Sequence, residues 1–163
     1  MKLCRSLCIL AVVAAFAVSS YAQAAAATAL KVQEQKLASK LMAREMPYRV
    51  LLPAGYETAK AERYPVIYLL HGLYGHYTNW TDKTKVAEYA ANYRFIIVTP
   101  EGDDGWYIDS PLASHENYES YIVKELIPEI DAKFRTKADR NDRVIAGLSM
   151  GGYGALKFGL KYP

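Results

Sequence analysis

A chain of 163 residues has the length of one ordinary domain, and 52% hydrophobic with 23% charged residues is the balance of a globular chain, not a disordered one. Its formal charge of +3 gives no electrostatic case for binding nucleic acid or an anionic membrane surface. Both cysteines, Cys4 and Cys8, lie near the N-terminus, so the body of the chain excludes disulfides, a cysteine nucleophile and thiolate metal ligands.

Residues 1–24 follow the plan of a secretory signal peptide: Lys2 and Arg5, then an apolar run from Leu7 to Val18, then small residues ending Ala22-Gln23-Ala24. The run is well short of the ~20 apolar residues that span a bilayer, which argues against a membrane anchor. Cleavage after Ala24 would place the protein outside the cytoplasm, secreted or periplasmic, and removing Lys2 and Arg5 would lower the formal charge from +3 to +1. Residues 25–30 read as a flexible, alanine-rich N-terminus, and residues 31–163 as the folded domain.

Lys31–Lys40 and Met46–Leu52 have strand-compatible patterning and predict an antiparallel hairpin closed by Pro53 and Gly55. Val66–Leu70 is a continuous apolar run between Pro65 and His71-Gly72, as a strand buried on both faces reads, and should be central to the sheet. A helix is expected over Asp82–Asn92 with Thr81 as its N-cap, followed by a second buried strand at Phe95–Val98. Thr99–Ala113 holds two prolines and two glycines and reads as a long loop. Tyr121, Leu126, Ile130 and Phe134 recur at helical spacing within Asn117–Phe134, with a kink expected at Pro128. Arg143–Gly147 is the third buried strand. Strands alternating with helices predict an α/β fold with a mostly parallel sheet and helices on both faces.

Gly147-Leu148-Ser149-Met150-Gly151 matches G-x-S-x-G between that strand and a helical stretch over Tyr153–Leu160, the context of a nucleophile elbow. Such a turn holds the serine in a strained conformation with its hydroxyl clear of the sheet, and its close neighbours must lack side chains, as Gly147 and Gly151 do. Ser149 is therefore the candidate nucleophile. The Met150 amide, at a helix N-terminus, and the Leu73 amide, in the glycine-bearing loop His71–Gly75, are the expected donors to a developing oxyanion.

His71 precedes the nucleophile and ends a buried strand, which suits packing of that loop better than proton transfer. His76 and His115 are loop residues with no feature that makes either a base. In this fold the order is serine, acid, histidine. Met150–Pro163 contains neither a carboxylate nor a histidine, so the acid and base are not supplied after Ser149. Asp103, Asp104 and Asp109 show no acid–base spacing for glycoside hydrolysis, and no cluster has metal-ligand or phosphate-loop spacing. No cofactor is expected.

Tyr64–Gly72, Trp80, Glu125–Pro128 and Ala146–Ala155, taken together, resemble the esterase D family, whose members include S-formylglutathione hydrolases, feruloyl and acetyl-xylan esterases and mycolyltransferases. The resemblance covers residues 31–163. It implies the α/β-hydrolase fold, an acyl-serine intermediate on Ser149, an oxyanion hole from Leu73 and Met150, and a C-terminal part carrying the acid and histidine that this chain would lack as a fragment. Gly105–Pro111 resembles the family's segment lining the cleft, which makes Tyr107 and Asp109 candidates for substrate contact. The alternative is that Trp106 and Tyr107 only cover the sheet edge. Export points to a carbohydrate-linked or small acyl ester. Acyl transfer to a sugar hydroxyl and an inactive binding domain are the competing readings.

Overall fold

The computed structural model describes residues 30–163. The leader expected over residues 1–24 lies outside the described residues, as do residues 25–29 of the alanine-rich stretch.

Among the described residues, five strands form one sheet: β1 (Lys31–Ser39), β2 (Arg44–Leu52), β3 (Val66–Leu70), β4 (Ile96–Pro100) and β5 (Arg143–Gly147), in the order β1-β2-β4-β3-β5. The expected hairpin is present, with β1 and β2 antiparallel and β2 antiparallel to β4. β4, β3 and β5 are parallel. β3 is central, as its unbroken apolar run predicted, and β5 lies at the edge of the sheet. The parallel register pairs Leu70 with Gly147, so the loops leaving β3 and β5 emerge side by side at the carboxyl ends of the strands. That end of an open α/β sheet is where ligands bind.

Strand alternation divides the core. Val66, Tyr68 and Leu70 face the larger apolar cluster with Tyr107, Tyr121, Leu126, Ile130 and Phe158, while Ile67 and Leu69 pack against a smaller one with Leu51, Ile97, Val86 and Ala90. Helices thus lie on both faces.

The helix expected over 82–92 is two short pieces, α1 (Asn79–Asp82) and α2 (Val86–Ala90). The Thr84 hydroxyl bonds back to the Trp80 carbonyl and accepts from the Val86 amide at 3.1 Å, which competes with helical pairing at the break. Thr81 lies inside α1, its hydroxyl donating to the Thr78 carbonyl at 2.9 Å, and caps nothing.

Residues 118–133 run as one helical stretch: α3 (Tyr118–Tyr121), a π-helical segment (Ile122–Leu126) and α4 (Ile127–Lys133). Pro128 has no N–H to donate, and the chain widens just before it: the Ile127 amide reaches the Ile122 carbonyl five residues back. The helix after Ser149 is α5 (Met150–Lys161), three residues longer at its start than the sequence suggested. Glu119 on α3 ties it down, bonding Lys157, Lys161 at 2.6 Å and Tyr162 at 2.5 Å.

Candidate active site

β5 runs directly into α5 through Leu148 and Ser149. Ser149 has φ 54° and ψ −116°, outside the regions open to ordinary L-residues, and is exposed. Two glycines allow this turn. A Cβ on Gly151 would sit 2.5 Å from the Leu70 carbonyl oxygen and 2.6 Å from that of His71, and one on Gly147 would collide with the Gly151 backbone. The helix therefore seats its first turn on the end of β3, and the serine between is turned outward. The Gly151 amide bonds the Leu148 carbonyl at 2.8 Å and Tyr153 bonds the Ser149 carbonyl at 3.0 Å, fixing the bend from both sides.

The loop after β3 lies against this bend: a Cβ on Gly72 would be 3.5 Å from the Ser149 Cβ. The Gly75 amide closes a turn onto the Gly72 carbonyl at 2.9 Å, and Asp104 accepts the Tyr74 amide at 2.8 Å while Tyr74 takes φ 58°. Among the described residues, neither the Leu73 nor the Met150 amide has an acceptor. Leu73 is partly exposed, and Met150 opens a 12-residue helix whose dipole favours negative charge there.

Strain gathers here. Of the six non-glycine residues with positive φ among the described residues, Ser149, Tyr74, Asp103, Trp106 and Tyr107 lie at the bend or in the two loops beside it, and Ala43 lies elsewhere, in the β1–β2 turn. Such outliers mark sites where the surrounding structure holds a geometry for use.

His71 is buried, with both ring nitrogens engaged: Nδ1 is 2.8 Å from the Gly72 carbonyl oxygen, and Nε2 is 3.1 Å from Glu101 Oε1 and 2.9 Å from the Gly102 amide. It supports the loop and has no nitrogen facing Ser149. Burial of Glu101 would raise its carboxyl, but the His71 ring and the Asp103 and Gly102 amides outweigh that and hold it down to about 2. His76 lies 3.3 Å from the same carboxylate. No histidine or carboxylate bonds Ser149 among the described residues.

Sequence spacing gave no metal cluster, yet His76, Glu101 and Asp103 each bring a ligand atom within 4.8 Å of the others. Glu101 already accepts several N–H bonds, and Asp103 is held by Arg44 and by the Tyr118 hydroxyl at 2.7 Å. These partners account for the cluster without an ion.

Tyr107 and Asp109, the expected substrate contacts, are each engaged by partners within the protein. Tyr107 has no exposed surface and donates its hydroxyl to the His71 carbonyl at 3.0 Å; burial pushes that phenol well up. Asp109 accepts the Ser120 amide at 2.9 Å and the Ser120 hydroxyl at 2.7 Å, fixing the start of the 118–133 run. Loop composition does not disclose which side chains turn inward. Trp106, beside Tyr107, is the one turned out, its ring edge-on to Tyr153 at 5.8 Å. Glu101 and Asp104 were missed because the loop residues they reach across to, His71 and Tyr74, are each 30 positions away in sequence.

A family model described as "Esterase: Putative esterase" matches residues 39–163. Esterase Rv1288 of Mycobacterium tuberculosis is 42% identical over 124 residues, covering 69% of this chain and 25% of its own length. An acetyl esterase of Caldicellulosiruptor saccharolyticus is 31% identical over 130 residues, covering 76% of this chain and 48% of its own. Among solved structures, a ferulic acid esterase superposes with a TM-score of 0.76 at 34% identity, over 83% of this chain and 54% of that one. An S-formylglutathione hydrolase from Agrobacterium tumefaciens gives 0.75 at 26% identity, over 84% and 55%. The chain thus spans about half the length, or less, of the relatives it matches. With the elbow at Ser149 seated on a mixed sheet whose three parallel strands end beside it, the chain belongs to this esterase family and has its α/β-hydrolase fold.

Proposed function

We propose that this chain carries the nucleophile and the oxyanion hole of a serine esterase. The observation that supports it most is Ser149 itself, exposed at φ 54° at the head of α5, with the Gly72 loop against it. In this reading the Ser149 hydroxyl attacks the ester carbonyl carbon, and the oxygen that becomes negative is received by the Leu73 and Met150 amides. The alcohol departs with a proton, leaving an acyl-serine. Water then attacks that carbonyl and releases the acid, restoring the hydroxyl. This reading needs a base that takes the serine proton and passes it to the alcohol, and no described histidine or carboxylate bonds Ser149.

The names of the relatives, acetyl esterase and feruloyl esterase, support a carbohydrate-linked or small acyl ester as substrate. The leader read over residues 1–24 supports work outside the cytoplasm, and a cell-fractionation experiment tests it. Acyl transfer to a sugar hydroxyl uses the same residues and differs in whether an alcohol or water takes the acyl group. Hydrolysis of p-nitrophenyl acetate by the protein as its gene encodes it tests the reading. Ser149→Ala should lower the rate by about 100-fold or more; an equal rate would reject the assignment.

A further inference from the structure

The peptide bond between Gly72 and Leu73 is gripped at one end and open at the other. Its carbonyl oxygen lies 2.8 Å from His71 Nδ1 and also accepts the Gly75 amide at 2.9 Å. Its N–H, that of Leu73, has no acceptor among the described residues. A carbonyl oxygen only accepts, so Nδ1 carries the proton of the first bond. The ring has no room to turn away. His71 is buried, and its other nitrogen lies 3.1 Å from Glu101 Oε1 and 2.9 Å from the Gly102 amide. Glu101 is fixed in turn by the Gly102 amide at 3.0 Å and the Asp103 amide at 2.9 Å. The Tyr107 hydroxyl holds the His71 carbonyl at 3.0 Å, so the end of β3 is pinned as well. A side chain that only filled this space could be apolar, whereas here each ring nitrogen meets a polar group.

We infer that His71 is a positioning residue of the oxyanion hole: its Nδ1–H fixes and polarises the Gly72 carbonyl, which makes the Leu73 N–H of the same peptide unit a stronger and better-aimed donor. The inference rests on the esterase reading above. A hydrogen bond accepted by an amide oxygen draws electrons from the amide nitrogen and leaves its N–H more positive, and bonds in such a chain strengthen one another by about 10–30% each. The second donor has the same arrangement from another source. Met150 shares its peptide unit with the Ser149 carbonyl, which accepts the Tyr153 amide of α5 at 3.0 Å. The helix thus backs one donor and a buried ring backs the other. The Nδ1 proton stays on the ring throughout, so His71 acts on the developing oxyanion and takes no proton from Ser149.

Losing one oxyanion donor outright costs about 100-fold to 1000-fold in kcat, so a donor weakened but still present should cost about tenfold. Leucine and asparagine are close in size and differ in whether an N–H can reach the Gly72 carbonyl. In the protein as its gene encodes it, His71→Leu should lower kcat for p-nitrophenyl acetate about tenfold with KM little changed, and His71→Asn should recover most of the rate. A ring that merely packs the loop predicts the opposite order, because leucine is the better buried side chain. Thermal melts show that each variant is folded. Residues 1–163 hold three Gly–Leu peptide units, Gly72-Leu73, Gly147-Leu148 and Gly159-Leu160, so isotope labelling of glycine carbonyls and leucine nitrogens gives each its own NMR cross-peak. The Gly72 carbonyl signal should move upfield in His71→Leu and stay near its place in His71→Asn. Imidazole nitrogen spectra of the unsubstituted protein, which need no variant to fold, should show a proton on His71 Nδ1. A bare Nδ1, or a folded His71→Leu at least as fast as His71→Asn, overturns the inference. If the unsubstituted protein hydrolyses no ester, the esterase reading fails, while the spectra still decide whether His71 holds this peptide.

Discussion

Gly72 stands over Ser149 so closely that a Cβ on the glycine would lie 3.5 Å from the serine Cβ and 3.3 Å from the Leu148 carbonyl oxygen. The loop that carries Leu73 and the bend that carries Ser149 are therefore set against each other by the absence of one methyl group. Gly72→Ala should push them apart by a few tenths of an ångström and lower kcat for p-nitrophenyl acetate about tenfold, with little change in melting temperature. Steady-state kinetics beside a thermal melt checks this.

Gly151 is a stricter case, because its Cβ would enter the carbonyl oxygens of Leu70 and His71 at 2.5 and 2.6 Å, and backbone has nowhere to relax. Gly151→Ala should destabilise the fold by about 3 kcal/mol, at the upper end for an added methyl in a packed site. Urea denaturation measures the loss. A stable, inactive variant would mean that the helix can slide off the end of β3.

Asp104 fixes the Tyr74 amide and with it the turn that leaves Leu73 free. Asp104→Ala removes the acceptor and should lower kcat about tenfold with KM little changed, since the loop then no longer aims its donor at the transition state. Asp104→Asn keeps an oxygen in the same place and should recover most of the rate. Equal losses in both variants would point to the charge, not the hydrogen bond.

Glu101 and Glu119 make stability depend on acid in a stated window. For Glu119, burial would raise the carboxyl, but Lys157, Lys161 and Tyr162 outweigh it and hold it down to about 2, as the His71 ring and backbone amides do for Glu101. A carboxyl lowered in the folded state binds protons more readily when unfolded, so the stabilisation is complete above the ordinary glutamate value of 4.5 and is lost as pH falls towards 2. The melting temperature should be level down to about pH 5 and drop below it. Glu119→Gln should flatten part of that drop while lowering stability at neutral pH. An unchanged acid limb would show that the lysine clamp contributes nothing.

The parts of this fold legible in the sequence are those where one residue type answers one physical demand. Val66–Leu70 is apolar on successive residues because β3 is paired on both edges and buried on both faces, and Gly147 and Gly151 read as an elbow because only glycine fits there. What stayed hidden depends mostly on tertiary partners. Nothing local separates Trp106 from Tyr107, two aromatic neighbours of which one is buried and the other exposed. The clamp on Glu119 joins residues 38 and more positions apart, while the break between α1 and α2 is a local choice, the turning of the Thr84 hydroxyl to Trp80 and Val86, that residue type alone leaves open. Pro128 did mark a change in the helix, but as a widened π-helical turn before it and not as an interruption.

The central claim is that Ser149 takes an acyl group while the Leu73 and Met150 amides receive the oxyanion. No described histidine or carboxylate bonds Ser149, which slows both steps, but p-nitrophenolate leaves far more readily than the serine alkoxide, so acylation by p-nitrophenyl acetate should outrun hydrolysis of the acyl-serine and the covalent intermediate should accumulate. Incubation with p-nitrophenyl acetate followed by intact-mass and peptide mass spectrometry reads it directly. The account predicts one acetyl group per chain, on Ser149, absent from Ser149→Ala and formed more slowly in Gly72→Ala. Acetyl groups on lysines alone, or the same modification in Ser149→Ala, would contradict it.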